Sequence, residues 1–161
     1  MLTAHLPSGY VLARHAPPGR WVIPAALIGA VLPDIDMLWF HLIDQGQVNH
    51  HRYWTHVPLF WAAIALLVLP LVWRSAARAP ALAFFAGLLL HLILDSINGG
   101  ILWGAPFSPQ LFHLVTVPPT YDHWVISFLL HWTFALELAI WLWAAWLYRR
   151  SRPLSAHRPP V

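Results

Sequence analysis

Two stretches of the chain are apolar over nearly their whole length: Val57 to Trp73 carries no charged residue, and Trp124 to Tyr148 holds Glu137 as its one acid and His131 as its one histidine. Two more follow the same pattern with ionisable groups set inside them: Trp21 to Ile43 contains Asp34 and Asp36, and Ala81 to Ile97 contains His91 and Asp95. About 20 apolar residues cross the hydrocarbon layer of a bilayer as a helix, so the pattern predicts four spans. A charge at that depth is costly, which sends Asp34, Asp36, His91 and Asp95 to the protein interior or to a wet cavity. Between the third and fourth spans, Asn98 to Tyr121 is broken by Gly99-Gly100, Pro106, Pro109 and Pro118-Pro119, which predicts a structured cap or re-entrant loop. The expected fold is therefore an all-α integral membrane protein, a bundle of about four transmembrane helices with a Gly- and Pro-rich loop between helices three and four. It forms one membrane-embedded domain over residues 1–150, and the Pro- and Arg-rich tail at 151–161 is expected to be disordered.

Composition strengthens this reading. Hydrophobic residues make up 59% of the 161 and charged residues 9%, with a mean hydropathy of +0.60, against about 45–50% and ~25% in a soluble domain. Many of the 11 tryptophans, among them Trp21, Trp54, Trp73, Trp124 and Trp146, fall near the ends of apolar runs, where an amphipathic ring gains from the headgroup layer. The nine basic residues are all arginine. Arg14 and Arg20 precede the first span, Arg74 and Arg78 separate the second from the third, and Arg149, Arg150 and Arg152 follow the fourth. The positive-inside rule then makes both termini cytoplasmic and leaves Arg52 alone on the opposite face. No single stretch joins many arginines to exposed stacking aromatics, so the charge is a poor nucleic-acid footprint. The absence of cysteine excludes disulfide scaffolds and thiolate metal sites. The apolar run at Trp21 to Leu32 ends in acids rather than a small-residue cleavage site, so the mature chain is expected to start near Met1.

Eleven histidines against six acids direct attention to nitrogen and oxygen ligands. His91-Leu-Ile-Leu-Asp95 stacks an imidazole and a carboxylate on one helix face at i and i+4, a pair that can grip a metal ion or hydrogen-bond to itself. In Leu32-Pro33-Asp34-Ile35-Asp36 the two carboxylates cannot share a helical face, so they converge only where the helix breaks at Pro33; helix capping is the alternative. His50-His51-Arg52-Tyr53-Trp54-Thr55-His56 sets three imidazoles and a guanidinium before a clean span, and a turn is needed to bring His51 and His56 together. The planar fork of Arg52 matches a phosphate or carboxylate.

With Thr3-Ala4-His5 near the start and Gly99-Gly100 and Pro106-Phe107-Ser108 after Asp95, these motifs resemble, in pattern and order, a family of membrane-bound metal-dependent hydrolases that includes the LexA-regulated inner-membrane hydrolases of bacteria. That family carries an N-terminal Thr-x-His element, Leu-Pro-Asp-x-Asp, His-Arg-x-x-Thr-His-Ser and His-x-x-x-Asp, so the resemblance covers roughly the first 110 residues. It departs at Val57, where serine is usual, and at His50 and Tyr53, where glycine is common. The resemblance implies a bacterial inner-membrane location and a ligand set of His5, Asp34, Asp36, His51, His56, His91 and Asp95. Seven ligands exceed the needs of one zinc and imply two ions or some residues that support the ligands from behind. The motifs are also loosely similar to those of zinc-dependent phospholipases C.

The expected function is hydrolysis by a divalent metal, zinc or manganese, with water held by the Asp and His ligands. Arg52 and Asp36 are the expected catalytic residues, Arg52 stabilising charge on the substrate. The expected partners are membrane lipids and an amphiphilic or phosphoester substrate, which reaches an intramembrane site laterally. Intramembrane His and Asp also build proton and ion relays, so a metal- or proton-handling transporter is the competing reading, and a degenerate structural protein the third. His5 poses a conflict, because the positive-inside rule places it opposite the His51 loop unless the first residues re-enter the bundle. Glu137 is expected to join the site or to pair with His131 or a polar group of another span; His41, His50 and His113 are candidates to join the cavity, with the interface as their default place.

Overall fold

In the computed structural model, which describes residues 3–151, the described chain is helical and holds no strand. Helix α1 (His5–His15) leads to α2 (Val22–Val31), a 3-10 turn at Leu32–Asp36 and α3 (Met37–Leu42). Two more 3-10 turns, His50–Arg52 and Trp54–His56, precede α4 (Pro58–Val72) and α5 (Arg78–Asn98), and α6 (Trp124–Leu129) and α7 (Thr133–Ser151) follow a long loop. Of the tail at 151–161 expected to be disordered, Ser151 ends α7 and residues 152–161 lie outside the described residues.

Two helical stretches, Val22–Leu42 and Arg78–Asn98, are long and apolar enough to cross a membrane, rather than the four expected. Notably, they are the two with acids inside them. The uncharged run at 57–73 yields a helix of 15 residues, α4, about 22 Å long at 1.5 Å per residue and so short of a ~30 Å core. The run at 124–148 is interrupted after Leu129, and α7 includes Glu137, Arg149 and Arg150 among its 19 residues. The pattern identified apolar sequence correctly but could not see where each helix stops.

Helices α2 and α5 form the centre, with α1 laid across α2 and also touching α5 and α7. Small residues make this possible. A Cβ on Gly29 would lie 2.0 Å from the Phe84 carbonyl oxygen, and one on Gly87 would lie 2.5 Å from the Ala26 carbonyl oxygen. Such close backbone approach is how helices associate where lipid removes the hydrophobic drive between them. The rest of the packing is inverted relative to a water-soluble domain. Fully buried side chains include His56, His91, Asp95, Thr55, Thr133 and Glu137, whereas Leu42, Leu66, Leu67, Leu71 and Leu142 are between 72% and 84% exposed. Polar groups inside and leucines outside is the arrangement a bilayer demands.

The Gly- and Pro-rich loop is ordered by backbone pairing. Ile101 and Phe112 exchange N–H···O bonds of 2.9 Å in both directions, and the N–H groups of Leu114 and Val115 bond the Ser96 and Ile97 carbonyls at 2.8 and 2.7 Å. The loop thereby occupies carbonyls at the end of α5 that would otherwise lack partners.

Candidate metal centre

The break at Pro33 sets the site. A proline at the head of a 3-10 turn cannot donate to the preceding turn, and over Leu32–Asp36 the chain tightens so that Asp34 and Asp36 point to different places. Asp34 stays 36% exposed in its side chain, whereas Asp36 is buried at 4%. Asp34 joins His56, His91 and Asp95 in a group whose donor atoms all lie within 4.8 Å of one another. His91 and Asp95 come from one face of α5, as their spacing requires, with Nε2 of His91 3.0 Å from Oδ2 of Asp95. His56 arrives from the second 3-10 turn, its Nε2 3.6 Å from Asp95 Oδ2, 3.7 Å from Asp34 Oδ1 and 3.3 Å from Nε2 of His91. Nε2 of His91 lies 3.6 Å from Asp34 Oδ1.

These separations test whether an ion fits. Four ligands at ~2.0–2.2 Å around a tetrahedral zinc stand roughly 3.3–3.5 Å from one another. The five separations run from 3.0 to 3.7 Å, so the residues fit that geometry. The chemistry of the donors agrees. Each imidazole is anchored through its far nitrogen: Nδ1 of His91 donates to the Ala30 carbonyl at 2.8 Å, Nδ1 of His56 to Asp36 Oδ2 at 2.7 Å, and Nδ1 of His51 to the Gly99 carbonyl at 2.8 Å. With those far nitrogens committed as donors, the Nε2 atoms of the rings face the centre and are the ones left to bind an ion, the arrangement found behind metal-ligating histidines. Two lone pairs facing at 3.3 Å repel unless a cation or proton lies between them.

Asp36 therefore stands behind a ligand rather than beside the ion position. It accepts hydrogen bonds from Nδ1 of His56 and from the Thr55 hydroxyl, and His50 Nδ1 lies 3.5 Å from its other oxygen. His51 reaches Asp95 Oδ2 at 3.6 Å through Nε2, and its ring sits where Gly99 has no side chain: a Cβ there would lie 2.3 Å from His51 Cε1. His5 also reaches the site. Helix α1 folds into the bundle, bringing Nε2 of His5 to 3.1 Å from Asp95 Oδ1 and stacking its ring on His91 at 3.8 Å. The re-entrant option resolves the conflict over His5. Arg52 is not brought in; it is exposed and does not line the adjoining cavity.

Burial holds the His51 imidazole down to about 4, against the pull of Asp95. Burial also opposes a charge on His56, but hydrogen bonds to Asp36 and Asp95 prevail and lift it to about 9. At neutral pH the metal-free cluster thus keeps a proton on His56 and none on His51.

Asp34 and Asp95 of the cluster line a cavity of about 600 Å³. Its polar side is formed by Asp34, His50, His51, Asp95 and Asn98, and its walls by Met37, Phe40, Val117, Pro118, Pro119, Trp124 and Phe128. Of the three histidines considered for the cavity, His50 lines its polar side, while His41 and His113 are exposed. Thr55 was legible within His-Arg-x-x-Thr-His but its bond to Asp36 was not, and the carbonyls of Ala30 and Gly99 leave no trace in side-chain pattern.

The family described as YdjM inner membrane protein matches residues 1–156. The chain belongs to this family. Together with the two apolar helical stretches, this supports a membrane location for the chain. No curated protein and no solved structure matches the chain.

Proposed function

We propose that this member of the YdjM family is a metal-dependent hydrolase acting on a phosphoester of an amphiphile. The observation that carries the proposal is the convergence of His56, His91, Asp34 and Asp95 on one point, with Asp34 and Asp95 lining an apolar-walled cavity. Two imidazoles and two carboxylates at tetrahedral spacing favour zinc over manganese, which takes oxygen-rich octahedral sites. A second group, His50, His51 and His56, shares His56 with the first. Because Nδ1 of His56 is bonded to Asp36, the shared donor is Nε2, and one ion with extra imidazoles at its edge accounts for both groups.

A zinc ion there would act as a Lewis acid, lower the pKa of a coordinated water and offset charge developing on the substrate, the part expected of Arg52. The chain's own groups do the rest. Asp34, partly exposed and lining the cavity, faces the substrate side. His51, neutral at physiological pH, can accept a hydrogen bond from the attacking water at Nε2. The apolar walls receive the hydrocarbon part and exclude water, leaving the head group over the donors. Hydrolysis places the water oxygen on phosphorus, breaks the phosphorus–oxygen bond to the alcohol and gives that alcohol the proton.

Elemental analysis of detergent-purified protein tests the first step: one zinc per chain, lost in both His91→Ala and Asp95→Ala, is expected. Release of the alcohol from a phospholipid in mixed micelles, abolished by chelation and restored by zinc, is expected next. Metal-free protein after zinc reconstitution would overturn the proposal, and zinc accumulation inside proteoliposomes without turnover would replace it with transport.

A further inference from the structure

Helix α7 contributes no donor to the cluster, yet it carries Glu137, a carboxylate that is fully buried. A carboxylate in such a place is costly unless strong donors meet it. Thr3 meets it twice: its backbone N–H and its hydroxyl both donate to Oε2 of Glu137 at 2.6 Å. One turn along α7, the indole N–H of Trp141 donates to the Thr3 hydroxyl at 3.2 Å, closing a small network around that residue. Ala4, next in sequence, is fully buried and clusters with Leu94 of α5, with Ile140 of α7 packed against them. The following residue is His5, whose ring lies against His91 and whose Nε2 meets Asp95.

The path from Glu137 to the cluster therefore runs through Thr3 and the buried Ala4 to His5, two residues along the chain. We infer that Glu137 is a positioning residue: by gripping Thr3 it seats His5 against Asp95 and His91, so that α7 sets the geometry of the metal group from outside it. This inference rests on the metal reading of the cluster, but the grip on Thr3 can be measured without metal. Glu137 falls outside the recognised motifs, and its partner is Thr3 rather than the neighbouring His131, which bonds Thr133 at 2.9 Å instead.

The test uses the full chain in detergent with Glu137→Ala, Glu137→Gln, Thr3→Val, Thr3→Ser and His5→Ala, in two measurements. Hydrogen exchange on the metal-free protein should show faster exchange over residues 4–10 in Glu137→Ala, with α2 and α5 as protected as in the parent. Unchanged exchange over residues 4–10 would overturn the grip itself, whether or not the protein binds metal. With cobalt(II) as the probe, Glu137→Ala and Thr3→Val should weaken binding by about tenfold or more and shift the visible spectrum toward that of His5→Ala. Glu137→Gln and Thr3→Ser, which keep an acceptor and a hydroxyl, should recover most of both. The double variant His5→Ala/Glu137→Ala should bind cobalt no worse than His5→Ala alone. A cobalt spectrum and affinity unchanged in Glu137→Ala, or losses that simply add in the double variant, would reduce Glu137 to a structural anchor with no hold on the metal group.

Discussion

The donor scaffold and the cavity wall face each other across the same space and are built on opposite principles. On the scaffold side, His51, His56 and His91 are each fixed by a hydrogen bond at the nitrogen that points away from the centre, and α2 and α5 meet backbone to backbone at Gly29 and Gly87. On the wall side, Val117, Pro118, Pro119, Trp124 and Phe128 present apolar surface from the end of a loop and a six-residue helix. Tyr121 N–H to the Ser127 hydroxyl, at 3.0 Å, is one of the few polar ties there. Directional chemistry tolerates little displacement, whereas an apolar pocket accepts a range of shapes. The scaffold should be brittle and the wall forgiving.

The largest contrast is expected in folding. Gly87→Val would drive a side chain into the Ala26 carbonyl, 2.5 Å from the new Cβ, and the obstacle is backbone that cannot rotate aside. Overpacking of this kind costs about 1–3 kcal/mol where side chains can adjust, so a loss at or above that range is expected. Thermal unfolding in detergent, scored beside Val117→Ala in the wall at under about 1 kcal/mol, checks it. Similar losses at the two positions would erase the distinction.

Next comes the support behind the ligands. Asp36→Ala removes the acceptor that orients His56 but leaves the four convergent donors in place. Zinc affinity should drop ~10–100-fold, the usual cost of an outer-shell partner, as read by competition with a chromophoric chelator. A drop as complete as that of His91→Ala would make Asp36 a ligand itself, as the motif alone suggested.

That motif shows how far sequence could reach. His91 and Asp95 were legible as one helical face, and so was the helix break at Pro33, but the convergence of Asp34 and Asp36 expected there does not occur: the turn points the two carboxylates apart. What could not be read was which carboxylate faces the ion, because that depends on the torsion of a 3-10 turn and on Thr55 and His56 arriving from 20 residues away. Helix lengths were obscured for a related reason. Hydropathy marks where apolar residues lie, but the start of α4 at Pro58 and the break after Leu129 are tertiary decisions, and so the most uniform apolar runs gave helices of 15 and 19 residues, the first too short and the second too charged to cross as expected. His5 was placed by its resemblance and opposed by charge bias; only the packing of α1 on α2 and α5 brought it in.

A smaller effect follows from the proton on His56. With its pKa raised to about 9, this imidazole is protonated at pH 7 and must lose the proton to bind an ion. Zinc binding should release about one proton per ion at pH 7 and progressively less as the pH approaches and passes 9, while affinity falls about tenfold per pH unit below 9. His51, held near 4, adds nothing to this count above pH 5 or so. The sign is opposite for folding of the metal-free protein: the raised pKa stabilises it fully below the ordinary histidine value of ~6.5 and that contribution is lost as pH rises toward 9. Calorimetry in buffers of different ionisation enthalpy measures the first, and uptake rather than release of protons would overturn it.

The smallest effect on the metal is expected from the wall, and it is the most informative about substrate. Phe128, buried at 8% exposure, lines the cavity next to Ser127 and packs its ring edge-on against Phe134 at 5.7 Å. Phe128→Ala enlarges the cavity without touching any donor, so zinc affinity should stay within about twofold of the parent, in keeping with a change remote from the ligands. If the apolar wall holds the hydrocarbon part of the substrate, the variant should lose its discrimination between short and long chains, through KM rather than kcat, because the contact is made equally in the ground state and the transition state. Trp124→Ala, 63% exposed at the same wall, should do the same more weakly. A fall in kcat with chain preference intact would instead place Phe128 in the support of the donors, and the wall would cease to be the forgiving half of the site.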